Sequence, residues 1–436
     1  MSGFSLQFEQ FPLELDHVKS SGNGLLAHLE LIFKYANYAV ESRNWRGEAL
    51  YLPQLDQAII DLTKHSEIPR LNTTSTDNLS DCYVVLVTEV YVTGGHGRVM
   101  NRMVEELPSH IIFTDLFGRI ASGSLSLNGL VSAQALSATI VSGDDILKKL
   151  RSILALLGAI RPKGVILLGH HQDVIVQIAG CTYLDGQRTT YFHHCDHEPA
   201  LGALIRYPAH IDTIEEIKSI CSEHGHSPRL WPMTVPPPSS VKSEFSNLGR
   251  IATCGSSIKF DGEFNGVYYK DIVRAVLLSS VSITLWHLGP LSESFLQDLV
   301  LNLRTHGVDP SRFVYVGPVS DLREFLIQNK VDLYIQSFPS GGGITAIEVQ
   351  SIGIPAVYAN PDVWSAKLIG SRSLYAEKSL EWSEVDKISE IILGTQTEER
   401  WRDHSEIAIH KYQKNFHPAQ GFEFFDYLRF RSFQAA

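Results

Sequence analysis

Three consecutive glycines, Gly341, Gly342 and Gly343, stand between the apolar run "VDLYIQS" and a helix-like "ITAIEVQSIG". Glycine has no Cβ and takes positive φ readily, so an anion can come within hydrogen-bond reach of its amides. The first N–H groups of the following helix lack internal acceptors and carry the positive end of the helix dipole. Together these features can hold a diphosphate without any lysine. Ile344 and Thr345 open the helix, Thr345 adding a hydroxyl, and Glu348, about one turn in, offers a carboxylate to ribose hydroxyls. A second set of polar groups closes three apolar runs: "TGGHGR" (Thr93–Arg98), "GHHQD" (Gly169–Asp173) and "HHCDH" (His193–His197). They contain His96, His170, His171, His193, His194 and His197, and three strand ends of one parallel sheet bring such groups to a common edge.

The elements that must position these residues alternate. Residues 1–75 have helical spacing in "GLLAHLELIFKYANYAVES" and "YLPQLDQAIIDLTKHS". "YVVLVTEVYV" then reads as a strand buried on both faces, followed by helix-like "VMNRMVEEL" and the strands in "HIIFTD", "GVILLGHHQD" and "TTYFHHCDHEPALGA". "DDILKKLRSILALLGAIRP" and "DTIEEIKSICSEHG" are the helices between and after them. "PMTVPPPSSV" (Pro232–Val241) interrupts the rhythm, since consecutive prolines suit neither a helix nor a central strand. After that linker the alternation restarts, with strands in "RIATCGS", "SITLWHLG", "RFVYVGP", "VDLYIQS" and "PAVYA", and the last 35 residues read as helices. Strand–helix alternation with apolar strands predicts an α/β protein built on parallel, doubly wound sheets.

Bulk composition bounds the function. The chain has 436 residues, enough for two domains, and its net charge of −11 argues against nucleic acid as a partner. The five scattered cysteines form no CxxC, as expected of free thiols in a reducing compartment. The first residues lack a basic and long apolar leader, and no run reaches the length of a membrane span. The expectation is a cytoplasmic protein.

"SFPSGGGITAIEVQSIGIPAV" resembles the donor-nucleotide motif of GT-B glycosyltransferases, and "RFVYVGPVSDLREFLIQNKVDLYI" is similar to the segment that precedes it there. "YFHHCDHEPALGA" resembles a stretch of bacterial transferases in the broad group of HMW1C-type protein N-glucosyltransferases and O-GlcNAc transferases, and "TGGHGRV" the acceptor-side loop of that group. The resemblance implies two Rossmann-like domains facing across a cleft, the N-terminal one holding the acceptor and the C-terminal one a nucleotide-sugar. The boundaries it suggests are 1–75 for a helical extension, 76–235 and 242–400 for the two domains, and 401–436 for helices packing back across the hinge. It places Ser256, Lys259 and Gly317 with Gly341–Thr345 and Glu348 on the donor side, Lys259 neutralising phosphate. It places Gly94, Gly95, Arg98 and His194 on the acceptor side.

Inverting transfer requires a base to take the acceptor hydroxyl's proton, and dipoles or cations to receive the leaving diphosphate. Asp196 with His197 is the first candidate for that base, then His96; His170, His171 and His193 read as hydrogen-bonded edge residues. Retaining GT-B enzymes often carry a glutamate where this chain has Gly341, which favours inversion. The expected function is metal-independent transfer of a sugar to a glycan, lipid-linked or protein acceptor in bacterial surface polysaccharide or glycoconjugate assembly. The nucleotide-sugar is substrate and no cofactor is expected. Membrane contact would be peripheral, at the inner face, and would follow a lipid-linked acceptor. A nucleotide-sugar epimerase on the same fold is one alternative, and a non-catalytic module of that fold another. A third is a metal-dependent hydrolase using HHxD and HHxDH, whose nitrogen and oxygen groups suit zinc.

Overall fold

The computed structural model describes residues 10–21, 24–41, 51–65, 67–69, 71, 79–91, 95–141, 143–194, 198–231, 233–260, 262–339, 341–360, 372–376 and 380–421. They form two units that divide between Trp231 and Pro232.

In unit 1, helices α1 (Phe11–Ser20), α2 (Leu25–Glu41) and α3 (Pro53–Leu62) come first. The alternating part follows: β1 (Ser80–Val87), α4 (Gly95–Glu106), β2 (Ser109–Phe113), β3 (Ser137–Ile140), α5 (Ile146–Ile160), β4 (Pro162–Leu168) and α6 (Val174–Thr182). It closes with β5 (Thr189–Phe192), β6 (Ala209–Asp212), α7 (Glu215–Glu223) and β7 (Arg229–Leu230). The strands pair in the order β3-β2-β1-β4-β5-β6-β7, and every pairing is parallel. β1 alternates strictly: Val84 and Leu86 enter one core, while Tyr83, Val85 and Val87 enter the other. The first core also holds Phe11, Leu29, Ile32, Leu55 and Ile59, so the N-terminal helices are a covering layer of this sheet.

Helix α4, which follows β1, buries Met100 and Met103 in the second core. Helix α6, which follows β4, buries Ile175 and Ile178 in the first. The strand order therefore reverses between β1 and β4, with helices leaving to opposite faces. A crevice opens beyond the carboxyl ends of strands at such a point.

Unit 2 repeats the plan. Its elements are β8 (Arg250–Cys254), a hairpin of β9 (Glu263–Phe264) and β10 (Val267–Tyr268), α8 (Tyr269–Ser279), β11 (Thr284–Leu288), α9 (Glu293–Thr305) and β12 (Phe313–Gly317). These are followed by α10 (Leu322–Gln328), β13 (Leu333–Ile335), α11 (Gly343–Ser351), β14 (Ala356–Ala359), β15 (Glu381–Trp382), α12 (Lys387–Gly394) and α13 (Glu398–Asn415). The main sheet runs β12-β11-β8-β13-β14-β15, all parallel. Its order reverses between β8 and β13. Helix α8 packs in a core with Leu299, Leu303, Ile388 and Ile392. Gly353, just beyond α11, lies against α13: a Cβ there would meet Ser405 Oγ at 2.8 Å. Helix α13 is anchored to this unit by buried Trp401, whose indole N–H donates to Asp332 O at 2.8 Å, and by the Tyr412 hydroxyl, which donates to Val235 O at 3.0 Å.

One carboxylate ties the N-terminal helices to the turn between β5 and β6 in unit 1. Asp56 of α3 is buried and accepts from Gly202 N at 2.6 Å and Leu204 N at 2.9 Å. Asp56→Ala would leave both amides unpaired and is expected to destabilise unit 1 by about 2–4 kcal/mol. Urea unfolding of the full chain checks this, and a change under 1 kcal/mol would show the helices to be loosely held.

Candidate functional site

In unit 2 the reversal sets the loop after β8 beside the loop after β13. The first carries Gly255, Ser256 and Lys259, and the second carries Gly341 and Gly342. They touch: a Cβ built on Gly342 would lie 2.8 Å from Lys259 Nζ and 3.5 Å from Thr345 Oγ1. A side chain at 342 would displace that ammonium, which the bare main chain lets approach. Gly342 is the N-cap of α11 with φ −126°, no side chain among the described residues caps the helix, and its first turn holds no acidic residue. The opening amides of α11 are thus left for an acceptor from outside the helix. Burial pushes the Lys259 ammonium below its usual range, and the charge of neighbouring Cys254 pulls the other way.

Two further glycines fix this edge: Gly317, expected on the donor side, and Gly289, which the sequence did not single out. Gly289, after β11, has φ +113° and a Cβ position 2.2 Å from Gly255 O. Its N–H donates to Gly317 O at 2.8 Å, and Gly255 N donates to Leu288 O at 2.9 Å. Gly317 itself has φ +81°. The ends of β8, β11 and β12 therefore meet backbone to backbone. The repeated Gly-Pro in "HLGP" and "YVGP" was the available signal. Ser256, Ile344 and Thr345 are half-buried at the same edge, and Glu348 is buried in the second turn of α11.

Unit 1 brings three histidines together at its own reversal. His96 on α4 is buried. Its ring stands 5.0 Å from His170, after β4, and 4.3 Å from His194, after β5. His96 Nε2 lies 2.8 Å from Leu168 O and so donates to it, which leaves Nδ1 as an acceptor with no hydrogen-bond partner among the described residues. Burial pushes its imidazole down to about 4 against the pull of that hydrogen bond. His170 is pushed down to about 3, first by burial and then by the positive charges of His96 and Arg119. Both rings are neutral at pH 7. Nearby, buried Glu89 pairs with Arg119 at 3.4 Å and accepts from the Tyr91 hydroxyl.

Asp173 serves the scaffold. It caps α6 by accepting from Ile175 N at 3.0 Å and Val176 N at 3.1 Å. Its other oxygen accepts from Thr88 and Thr114, each at 2.6 Å. The carboxylate joins the ends of β1, β2 and β4, with no lone pair directed outward for a metal shared with His170. Gly95 opens α4 and Arg98 is exposed on it. Gly94, Asp196 and His197 lie outside the described residues.

No protein-family model matches this chain, and no curated protein is similar to it in sequence. Solved structures are similar in fold. An O-GlcNAc transferase variant from Thermobaculum terrenum matches 98% of this chain and 81% of its own, at 15% identity and a TM-score of 0.55. The lipopolysaccharide outer core galactosyltransferase WaaB matches 80% of this chain and 99% of its own, at 15% identity and a TM-score of 0.58. HepE from Anabaena, solved with UDP, matches 80% and 99% at 12% identity and a TM-score of 0.62. The chain has the two-unit α/β GT-B fold of glycosyltransferases.

A histidine whose folded pKa lies below its unfolded value lets the unfolded chain take up protons first. Its contribution is intact above about pH 6.5, shrinks as pH falls, and is fully lost near pH 4 for His96. Between pH 7 and pH 5 that loss should be about 2 kcal/mol. Urea unfolding of wild type and His96→Gln at both pH values tests it; equal pH sensitivity would refute a neutral, desolvated ring.

Proposed function

We propose that this chain is a glycosyltransferase that takes a sugar from a nucleotide-sugar donor, UDP-linked in the first instance, and passes it to a glycan, lipid-linked or protein acceptor with inversion. The observation that carries this reading is the ammonium of Lys259 set against bare Gly342 at the uncapped start of α11. A cation, free amides and no acidic side chain in the first turn make a receptor for a diphosphate. Glu348 would take the ribose hydroxyls. HepE and TarM were solved with UDP, and UDP presents the same two groups, diphosphate and ribose.

In the reaction the acceptor oxygen bonds to the anomeric carbon as the bond from that carbon to the phosphate oxygen breaks. Negative charge builds on the departing diphosphate, where Lys259 and the α11 amides are already oriented, so little reorganisation is needed. The acceptor proton goes to a base on unit 1. Asp196 with His197 is the first assignment; His96, neutral with Nδ1 open, is the second. Gly341 leaves no carboxylate at that position to form a covalent intermediate, in keeping with single displacement. Lysine and amides supply the charge stabilisation that a divalent ion gives elsewhere, so transfer would not need one. Assembly of bacterial surface polysaccharide or other glycoconjugates is the proposed setting.

UDP should bind more tightly than GDP, dTDP or CMP. Lys259→Ala should weaken it by about 10–100-fold, the equivalent of one charge-assisted hydrogen bond. Calorimetric titration decides, and an unchanged affinity would remove Lys259 from the donor site. With a competent acceptor, the product's anomeric configuration by NMR should be opposite to the donor's, and turnover should not respond to added Mg²⁺ or Mn²⁺. Retention would refute the single displacement.

A further inference from the structure

Away from the reversal in unit 1, four side chains of metal-ligand type close on one another. His193 follows β5, His210 and Asp212 share one face of β6, and Cys221 comes from α7. All four are buried, and one ligand atom from each lies within 4.8 Å of the others. His193 Nδ1 is 3.0 Å from Asp212 Oδ1 and 3.5 Å from Cys221 Sγ. Asp212 Oδ1 is 3.6 Å from Cys221 Sγ and 3.4 Å from His210 Nε2. Tetrahedral zinc, with bonds of about 2.0–2.3 Å, needs its donor atoms roughly 3.3–3.7 Å apart. Three of these four separations lie in that range, and all four donor atoms fall within 4.8 Å of one another.

Hydrogen bonding within the cluster is incomplete. His210 Nε2, the ring atom that faces Asp212 Oδ1, is buried with no hydrogen-bond partner among the described residues, a desolvation cost that a metal bond at that atom would offset. The Tyr51 hydroxyl donates to Cys221 Sγ at 3.4 Å, as an outer hydrogen bond to a thiolate would. The His226 ring packs 4.6 Å from His210.

We infer that His193, His210, Asp212 and Cys221 form a closed structural zinc site in unit 1. Two imidazoles, one thiolate and one carboxylate suit zinc in both softness and geometry, whereas magnesium and calcium prefer oxygen alone. Binding forms four metal–ligand bonds and sends the Cys221 thiol proton to solvent, along with any proton on the imidazole that becomes a ligand. The bound site is electrically neutral, with thiolate and carboxylate matching the two positive charges, which a buried ion requires. Four protein ligands leave no open position, so the metal is a cross-link between β5, β6 and α7 and has no part in sugar transfer.

The full chain, purified without chelator, should carry about one zinc per molecule by elemental mass spectrometry. After the zinc is stripped, Co²⁺ should bind with the intense visible bands of a four-coordinate site and a thiolate-to-cobalt charge-transfer band. That band should vanish in Cys221→Ser, while the other four cysteines remain. Absence of stoichiometric zinc together with absence of the charge-transfer band in wild type overturns the assignment, whether or not the variant folds. A band that survives in Cys221→Ser overturns it as well. Neither readout depends on UDP binding, so it stands or falls apart from the donor-site reading.

Discussion

The reversal of strand order, between β1 and β4 in one unit and β8 and β13 in the other, is the constraint on which the chemistry depends. Right-handed crossovers send the helices on either side of that point to opposite faces of the sheet. Neither helix can then cover the strand ends between them, and backbone groups there remain open to a ligand. His96 and His170 flank the gap in unit 1, and Lys259 and Gly342 flank it in unit 2. Holding such an edge open takes dedicated residues. Asp173, after β4, does it in unit 1 with four hydrogen bonds, one each from the residues after β1 and β2 and two from the first turn of α6. Among the described residues of unit 2 no carboxylate does this, and Gly255, Gly289 and Gly317 do it by direct main-chain contact.

With one topology, the two edges have opposite electrostatic character. Unit 1 presents desolvated imidazoles held neutral, able to receive a proton. Unit 2 presents an ammonium and the positive end of a helix, able to receive an anion. The net charge of −11 does not oppose the second, because amides and a lysine within a few ångströms outweigh distant surface carboxylates screened by salt. Burial acts on both edges in one direction: it disfavours the charged form of His96 and of Lys259. The His96 imidazole yields its proton, whereas the Lys259 amine starts from a much higher pKa, and an anion beside it would favour its charged form.

Legibility followed the physics of each element. β1, β4 and β8 announce themselves as apolar, β-branched runs because both their faces are covered. β3, "SATI", is an edge strand with little burial and leaves no apolar trace. Helix α6, "VIVQIAGCT", carries no helical period because it is buried almost all round, and a helix with no polar face shows no amphipathic pattern. The β9–β10 hairpin was readable and missed: Asn265-Gly266 between apolar residues is a turn signal, and both residues have positive φ. The glycine stretch before α11 was legible because close main-chain approach needs a residue type that composition exposes. Gly289 leaves only its Gly-Pro step as a trace in the sequence, since its reason is a contact with Gly255 across neighbouring strands. The cluster of His193, His210, Asp212 and Cys221 comes from two strands and a helix at irregular spacing, so no motif marks it.

Similarity at 9–15% identity with TM-scores of 0.55–0.62 sets what the fold can carry from one chain to another. At that distance two proteins share strand order and burial period, hence the place of the crevices, and little of the side chains in them. Roles must then come from this chain's own atoms, and they differ with position along the sheet of unit 1. At the reversal, the long β1 and β4 pair through many residues and can support desolvated groups that are left open. Toward the far edge β5 and β6 shrink to four residues each and β7 to two, so ladder hydrogen bonds grow scarce. A metal cross-link from β5 and β6 to α7 supplies there the rigidity that strand pairing supplies at the centre, which accounts for ligand-type residues gathering where no substrate is expected.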